Sequence, residues 1–319
     1  MNLESSWKSV TSYFDELPTW GKAALVGSGS LLIYKLFNQK HTRNTPIKTN
    51  WDAGIVYLYQ FPRTRFIPNI SPYCLKLETW LRIAEIPYKN VPCGIFTRST
   101  EGTLPFVEYN GKEYHDSSFI IRDLTNILEK KSLEEHLSDE QRATGRAFEK
   151  MAETSLSQSL LVSRLENIDK IIENLPPHLY GGIWFYLFSG IFKKYFVKAK
   201  RNVLFISGLG KHTRQEQIEI GSDDLKAISK YLGAKHYLTG FKPTRIDATL
   251  FGVLAQVVYA PYESEHLDLI KTECPNLMEY VERIKNRYWP DWGDATTKFS
   301  IDSDWKKRPR RESPKRIAQ

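Results

Sequence analysis

Cysteine is scarce in this chain: Cys74, Cys93 and Cys274 are the only three in 319 residues, and no two have a paired spacing. That excludes a disulfide scaffold and points to a reducing compartment. Metal-ligand clusters are missing as well. The seven histidines are scattered, and neither His-x-x-His nor Cys-x-x-Cys occurs, so no metal is expected. Long apolar runs are lacking too. The best candidate, Leu17 to Phe37, has an uncharged centre of only twelve residues, Ala23 to Tyr34. Past Ser138 no stretch reads as a credible strand. The basic tail lacks the interleaved aromatics of a nucleic-acid surface, so no nucleic-acid partner is expected.

What is present suffices for two packed cores. Hydrophobic residues make up 41% of the chain and aromatics 13%, and the length fits two domains of about 100–200 residues each. The formal charge of +8 is concentrated in the tail at Lys306, Lys307, Arg308, Arg310, Arg311, Lys315 and Arg316, so the folded part is nearer neutral.

The N-terminal segment, 1–16, precedes the apolar stretch 17–37. Lys22 and Lys35 bracket its centre, and both must snorkel if it spans a bilayer. Trp20 and Tyr34 stand where an aromatic belt would lie. The competing reading is a short buried or interfacial helix, since Gly27-Ser28-Gly29-Ser30 weakens any isolated helix. Read as a membrane anchor, 17–37 carries a balance of −1 before it (1–22) and +4 after it (35–50). The positive-inside rule then makes the protein single-pass, with its large C-terminal part in the cytoplasm. Residues 38–52 are polar and basic and read as a linker.

The stretch 53–131 alternates strand and helix. An apolar run, Ile55 to Phe61, leads into an amphipathic pattern through Cys74, Leu77, Leu81 and Ala84. A later strand, Phe106 to Tyr109, turns at Asn110-Gly111 onto Lys112 to Tyr114, a strong hairpin signal. From 138 to 292 the periodicity is helical. Ser138-x-x-Gln141 and Thr213-x-x-Glu216 are capping boxes, and Thr244-x-x-Asp247 is a structural N-cap of the same logic. Tyr180 to Phe192 is a second apolar run followed by lysines. It reads either as a buried helix or as an interfacial element, with anionic-lipid contact by 180–201 and by the basic disordered tail, 302–319.

The runs VYLYQFPR, SPYCLKLETWLR, EGTLPFVEYNG, GLGKHT and KPTRIDATLFG resemble the failed-axon-connections and nematode cadmium-responsive proteins, a metaxin-related branch of the glutathione-transferase-like family. The resemblance implies an α/β thioredoxin-like N-terminal domain followed by an all-α, glutathione-transferase C-terminal domain, here preceded by an N-terminal hydrophobic helix. It also leaves room for a homodimer. No cofactor is implied. Glutathione is the co-substrate if the protein is an enzyme.

Ser71-Pro72-Tyr73-Cys74 looks like a glutaredoxin Cys-Pro-Tyr-Cys with its first cysteine replaced. Ser71 cannot supply the attacking thiolate of disulfide exchange. Its hydroxyl can instead hold a bound thiolate ionised, as in serine-type transferases. Tyr59 is the fallback hydroxyl. Cys74 is a weaker nucleophile candidate, because it begins the apolar stripe of its own helix. Leu104 and Pro105 resemble the cis-proline turn whose backbone pairs with the cysteinyl part of glutathione. Asp116 and Ser117 match the acid-serine pair that holds the γ-glutamyl end, with plain helix capping as the alternative. Asp in place of the commoner Glu shortens that reach. Two classes of function stand: glutathione transfer to electrophiles in stress or detoxification, and a non-catalytic adaptor on the same fold in a membrane-associated or axonal role.

Overall fold

The computed structural model describes residues 16–19, 21, 47–93, 97–180 and 182–301, with backbone only at 92, 183–189 and 192. The first unit is built on strand β1 (Val56–Gln60), all five residues of which are buried. A strand covered on both faces reads as one continuous apolar run, which is what this stretch is. The sheet order is β2 (Tyr88–Pro92), β1, β3 (Phe106–Tyr109), β4 (Lys112–His115), with β1/β2 parallel and the other pairs antiparallel. Helix α1 (Pro72–Ile83) makes the crossover between the parallel strands. Asn110 and Gly111 turn the hairpin with φ of 47° and 76°, the two positive values such a turn needs. Helix α2 (Ser117–Ile127) closes the unit.

The long segment from Pro62 to Ile70 is packed, whereas a mobile lid would be exposed. Arg63 donates to both oxygens of Glu78 at 2.8 and 2.7 Å, with both side chains essentially buried. Asn69 Nδ2 donates to Gln60 Oε1 and to the Phe61 carbonyl. The Tyr180 hydroxyl donates to the Pro62 carbonyl at 2.9 Å. These bonds satisfy the loop's own polar groups internally.

The second unit is helical throughout its described length. It runs α3 (Asp139–Met151), a π-helical turn (Ala152–Leu156), α4 (Ser157–Glu166), α5 (Ile168–Glu173), α6 (Ile183–Ile206), α7 (Arg214–Leu232), α8 (Arg245–Val258), α9 (Glu265–Thr272), α10 (Pro275–Tyr288) and α11 (Trp292–Thr297). Helical structure therefore passes residue 292. At the start of α8, Asp247 Oδ2 accepts the Thr244 amide at 2.7 Å and the Thr244 hydroxyl at 2.9 Å. Its other oxygen takes the Leu238 amide and the Tyr280 hydroxyl, so this buried carboxyl ties three segments together. Helix α8 packs on α1 at Gly252, where a Cβ would meet the Pro72 carbonyl oxygen at 2.5 Å. Only glycine permits that approach.

One reading of the N-terminal part changes, and another falls outside the described residues. The stretch 17–37 lies almost wholly outside the described residues, and among those described no helix is long and apolar enough to cross a membrane. The end of the supposed linker is docked. The amides of Ile47 and Lys48 donate to the Glu108 carboxylate at 2.6 and 2.9 Å. The tail 302–319 lies outside the described residues. Helix α6 absorbs the second apolar run and exposes Tyr195, Val203, Phe205 and Ile206 toward its C-terminal end.

Candidate functional site

A cavity of about 850 Å³ lies between the sheet unit and the helices, within the size range of ligand pockets. Ser71 reaches its wall because Pro72 starts α1 and Ser71 is the N-cap. Its Oγ accepts the Cys74 amide at 3.4 Å, and its own amide donates to Asn69 Oδ1 at 3.0 Å. The serine therefore sits at the positive end of a twelve-residue helix, where an anion is favoured.

Leu104 lines the same wall, and the Leu104–Pro105 peptide bond is cis. Among the described residues neither the amide nor the carbonyl of Leu104 takes a backbone hydrogen bond. Ser71 and Leu104 are thus brought together. Tyr73 joins them at the mouth, its hydroxyl donating to the Glu153 carbonyl at 3.0 Å. Burial, then Glu153 and Asp116, push the Tyr73 phenol above its ordinary value.

Asp116 and Ser117 are not on the cavity wall. Asp116 caps α2, its Oδ1 accepting the Ser118 and Phe119 amides at 2.8 and 3.2 Å, from a backbone φ of 62° that a non-glycine residue seldom adopts. Ser117 is buried at the first turn. Asp116 nevertheless lies close enough to influence Tyr73. Tyr59 is removed from the chemistry altogether. It is 1% exposed, donates to Glu108 at 2.6 Å and stacks on Phe106 with ring centroids 4.4 Å apart. Cys74 is fully buried, and burial pushes its thiol up to about 12, so it is no nucleophile at neutral pH.

Other wall residues were hidden from a sequence-level reading. The π-helical turn places Glu153 at the cavity beside Tyr73, and α4 and α6 bring Arg164 and Lys200 to it, with Arg98 from the β2–β3 connection. The available signal was helical spacing: Lys193, Phe196, Lys200 and Val203 recur on one face of α6, and all four line the cavity. Among the described residues no group of His, Cys, Asp and Glu could hold a metal.

Comparison with known proteins places this arrangement. The family model described as glutathione S-transferase N-terminal domain matches residues 72–170, and that of the glutathione S-transferase C-terminal domain matches 221–284. Failed axon connections of Drosophila melanogaster is 36% identical over 267 residues, 80% of this chain but 63% of that protein, so the chain spans less than two thirds of this relative. The isoprene-epoxide glutathione S-transferase of a Rhodococcus species is 27% identical, covering 73% of this chain and 99% of that protein. Metaxin-2 of Mus musculus is 24% identical over 76% of this chain and 92% of its own. A glutathione S-transferase from Ceriporiopsis subvermispora, solved with glutathione, superposes with a TM-score of 0.52 at 18% identity, covering 78% of this chain and 99% of that one, which shows the shared fold. The chain therefore belongs to the glutathione S-transferase-like family, on its failed-axon-connections and metaxin-related branch.

Proposed function

We propose that the cavity binds glutathione or a closely related thiol peptide and conjugates it to an electrophile. The observation that supports this reading is the meeting of Ser71, at the N-terminus of α1, with the cis Leu104–Pro105 turn on one cavity wall. In this reading the Leu104 backbone pairs with the cysteinyl unit like an added strand. The thiol sulfur then lies at the helix N-terminus, where the Ser71 hydroxyl donates a hydrogen bond to the thiolate and the helix dipole adds to its stabilisation. The thiolate attacks an electrophilic carbon, a C–S bond forms, and the displaced pair of electrons leaves on the departing group or the opened epoxide oxygen. In this reading Asp116 and Ser117 hold the γ-glutamyl end. The relative named for isoprene-epoxide conjugation supports the enzyme class without identifying this chain's electrophile.

The second reading is a non-catalytic adaptor that keeps the fold for binding other partners. It draws on the Asp116 carboxylate, whose Oδ1 is engaged in capping its own helix, and on the metaxin relatives. Calorimetric titration of glutathione separates the two. The transferase reading expects binding at millimolar glutathione or tighter, weakened by Asp116→Ala. Ser71→Ala should lower turnover with a model electrophile roughly 10²-fold or more, the scale of losing one oxyanion-type donor. Absence of heat at millimolar glutathione leaves the adaptor. On either reading we propose that 17–37 tethers the protein to a membrane, with the described units on the cytoplasmic side.

A further inference from the structure

The cavity has a charge pattern that glutathione does not account for. Arg98, Arg164 and Lys200 line it, each partly buried. Their partners are neutral. Arg164 donates to the Ile70 carbonyl at 2.9 Å and to the side chains of Gln256 and Tyr262. Arg98 donates to the neighbouring Thr97 carbonyl and lies over the Phe61 ring, and Lys200 lies over the Phe196 ring. Among the described lining residues the one carboxylate is Glu153, already neutralised by Lys76 at 2.6 Å and Lys150 at 2.8 Å. The remaining lysine of the wall, Lys193, is paired with Asp169. Three cations therefore share a partly enclosed space without a counter-charge among the described residues. Burial, then Arg164 and Arg98, hold the Lys200 ammonium below its ordinary value.

Such crowding costs free energy until an anion enters. Next to Arg164, the Ser163 hydroxyl is buried and has no hydrogen-bond partner among the described residues, and it lines the same cavity. A buried polar group left unsatisfied is uncommon and marks a place for a partner. Around these groups the wall is aliphatic and aromatic: Ile70, Leu161, Ile168, Phe196, Val203 and Val257. A small hydrophilic anion would leave that surface uncovered, and a neutral apolar molecule would leave the cations unmatched.

We propose that this part of the cavity binds an apolar carboxylate, an aliphatic chain ending in one anionic group, with Arg98, Arg164, Lys200 and Ser163 around the head and the aliphatic wall along the chain. The inference goes beyond glutathione transfer and does not require it. Where both ligands bind, the carboxylate is either the acceptor's own anchoring group or a competitor for the acceptor space.

The test is calorimetric titration of the full chain with dodecanoate, with dodecanol as the uncharged match and acetate as the anion without a chain. Dodecanoate should bind at least tenfold more tightly than either control. Lys200→Gln and Arg98→Gln remove side chains that hold no other element in place, and each should weaken dodecanoate about tenfold while leaving dodecanol unchanged. Melting temperatures of both variants report that the fold is retained. Equal binding of dodecanoate and dodecanol, or dodecanoate affinity unchanged in both variants, overturns the proposal. Dodecanoate binding that survives Ser71→Ala while glutathione fails to bind sinks the transferase reading and leaves this one standing. Glutathione binding with no dodecanoate binding does the reverse.

Discussion

Glu78 is the residue on which the first unit depends. It is fully buried and accepts from Arg63, Gln60, Asn90, Tyr88 and Arg82. Burial alone would raise its carboxyl, but Arg63 and Arg82 with the hydrogen bonds outweigh burial and hold it well below the usual carboxylate range. A depressed folded-state value contributes stability above the unfolded value of about 4.3, and that stability is lost as pH falls through the lower folded one. Acid unfolding should therefore begin below about pH 4.3. Glu78→Gln, which leaves the buried Arg63 guanidinium without its anion and Arg82 with Asp291 alone, should cost about 3–5 kcal/mol. Urea denaturation at pH 7 and pH 3.5 checks both. A loss under about 1 kcal/mol, or no acid dependence in wild type relative to Glu78→Gln, would show that the carboxylate is not what holds Arg63. None of this network could be read from spacing, because Arg63 and Glu78 meet only through the loop. Tyr59 shows a related limit. Period-two alternation puts Tyr57 and Tyr59 on one face of β1 but does not say which face looks at the cavity. Cys74, by contrast, began an apolar helical stripe, and its burial was legible there.

At the scale of elements, the strands, the hairpin and the helix caps were legible because each has a local chemical cause. Ser138, Thr213 and Thr244 start helices as their side chains dictate, and Asn110-Gly111 turns the hairpin. The π-helical turn at Ala152–Leu156 was not legible. An extra residue in a helical turn leaves no compositional mark, yet it sets Glu153 against Lys76 and the cavity. The packing of the Pro62–Ile70 loop was not legible either. Its length and basic residues look exposed until Glu78 and Asn69 are in view. The 17–37 element has an uncharged centre of twelve residues, and its flanking lysines must snorkel for it to span a bilayer. If it spans a bilayer, full-length protein stays in the membrane pellet through alkaline carbonate extraction, and replacing Leu31 and Leu32 by Lys releases it. Release of the intact wild-type chain by carbonate would make the segment peripheral.

The two units of the whole molecule are joined by polar contacts that neither could satisfy alone. Lys76 of α1 reaches Glu153 at 2.6 Å and Glu149 at 3.1 Å, all three side chains almost fully buried. Arg82 reaches the Tyr288 carbonyl and Asp291, each at 3.0 Å, and the Trp289 ring lies 3.7 Å from its guanidinium. Trp289 Nε1 donates to Thr79 at 3.0 Å, and Gln256 Nε2 to the Asn69 carbonyl at 3.1 Å. Separating the units would take Lys76 from both of its carboxylates and Arg82 from Asp291, at a cost of several kcal/mol for a buried pair broken. That exceeds what a small sheet unit of one helix-crossed ribbon and one further helix can offset on its own. The protein should therefore unfold in one cooperative step. In urea, far-UV circular dichroism and tryptophan fluorescence, to which the buried Trp80 and Trp289 contribute, should give coincident midpoints. Lys76→Met should lower the midpoint by an amount equivalent to about 3–5 kcal/mol and keep the two probes together. Two separated transitions in wild type would mean that each unit is stable without the other. The ion pairs between them would then be contacts of docking and not of folding, and the cavity they enclose could open without either unit unfolding.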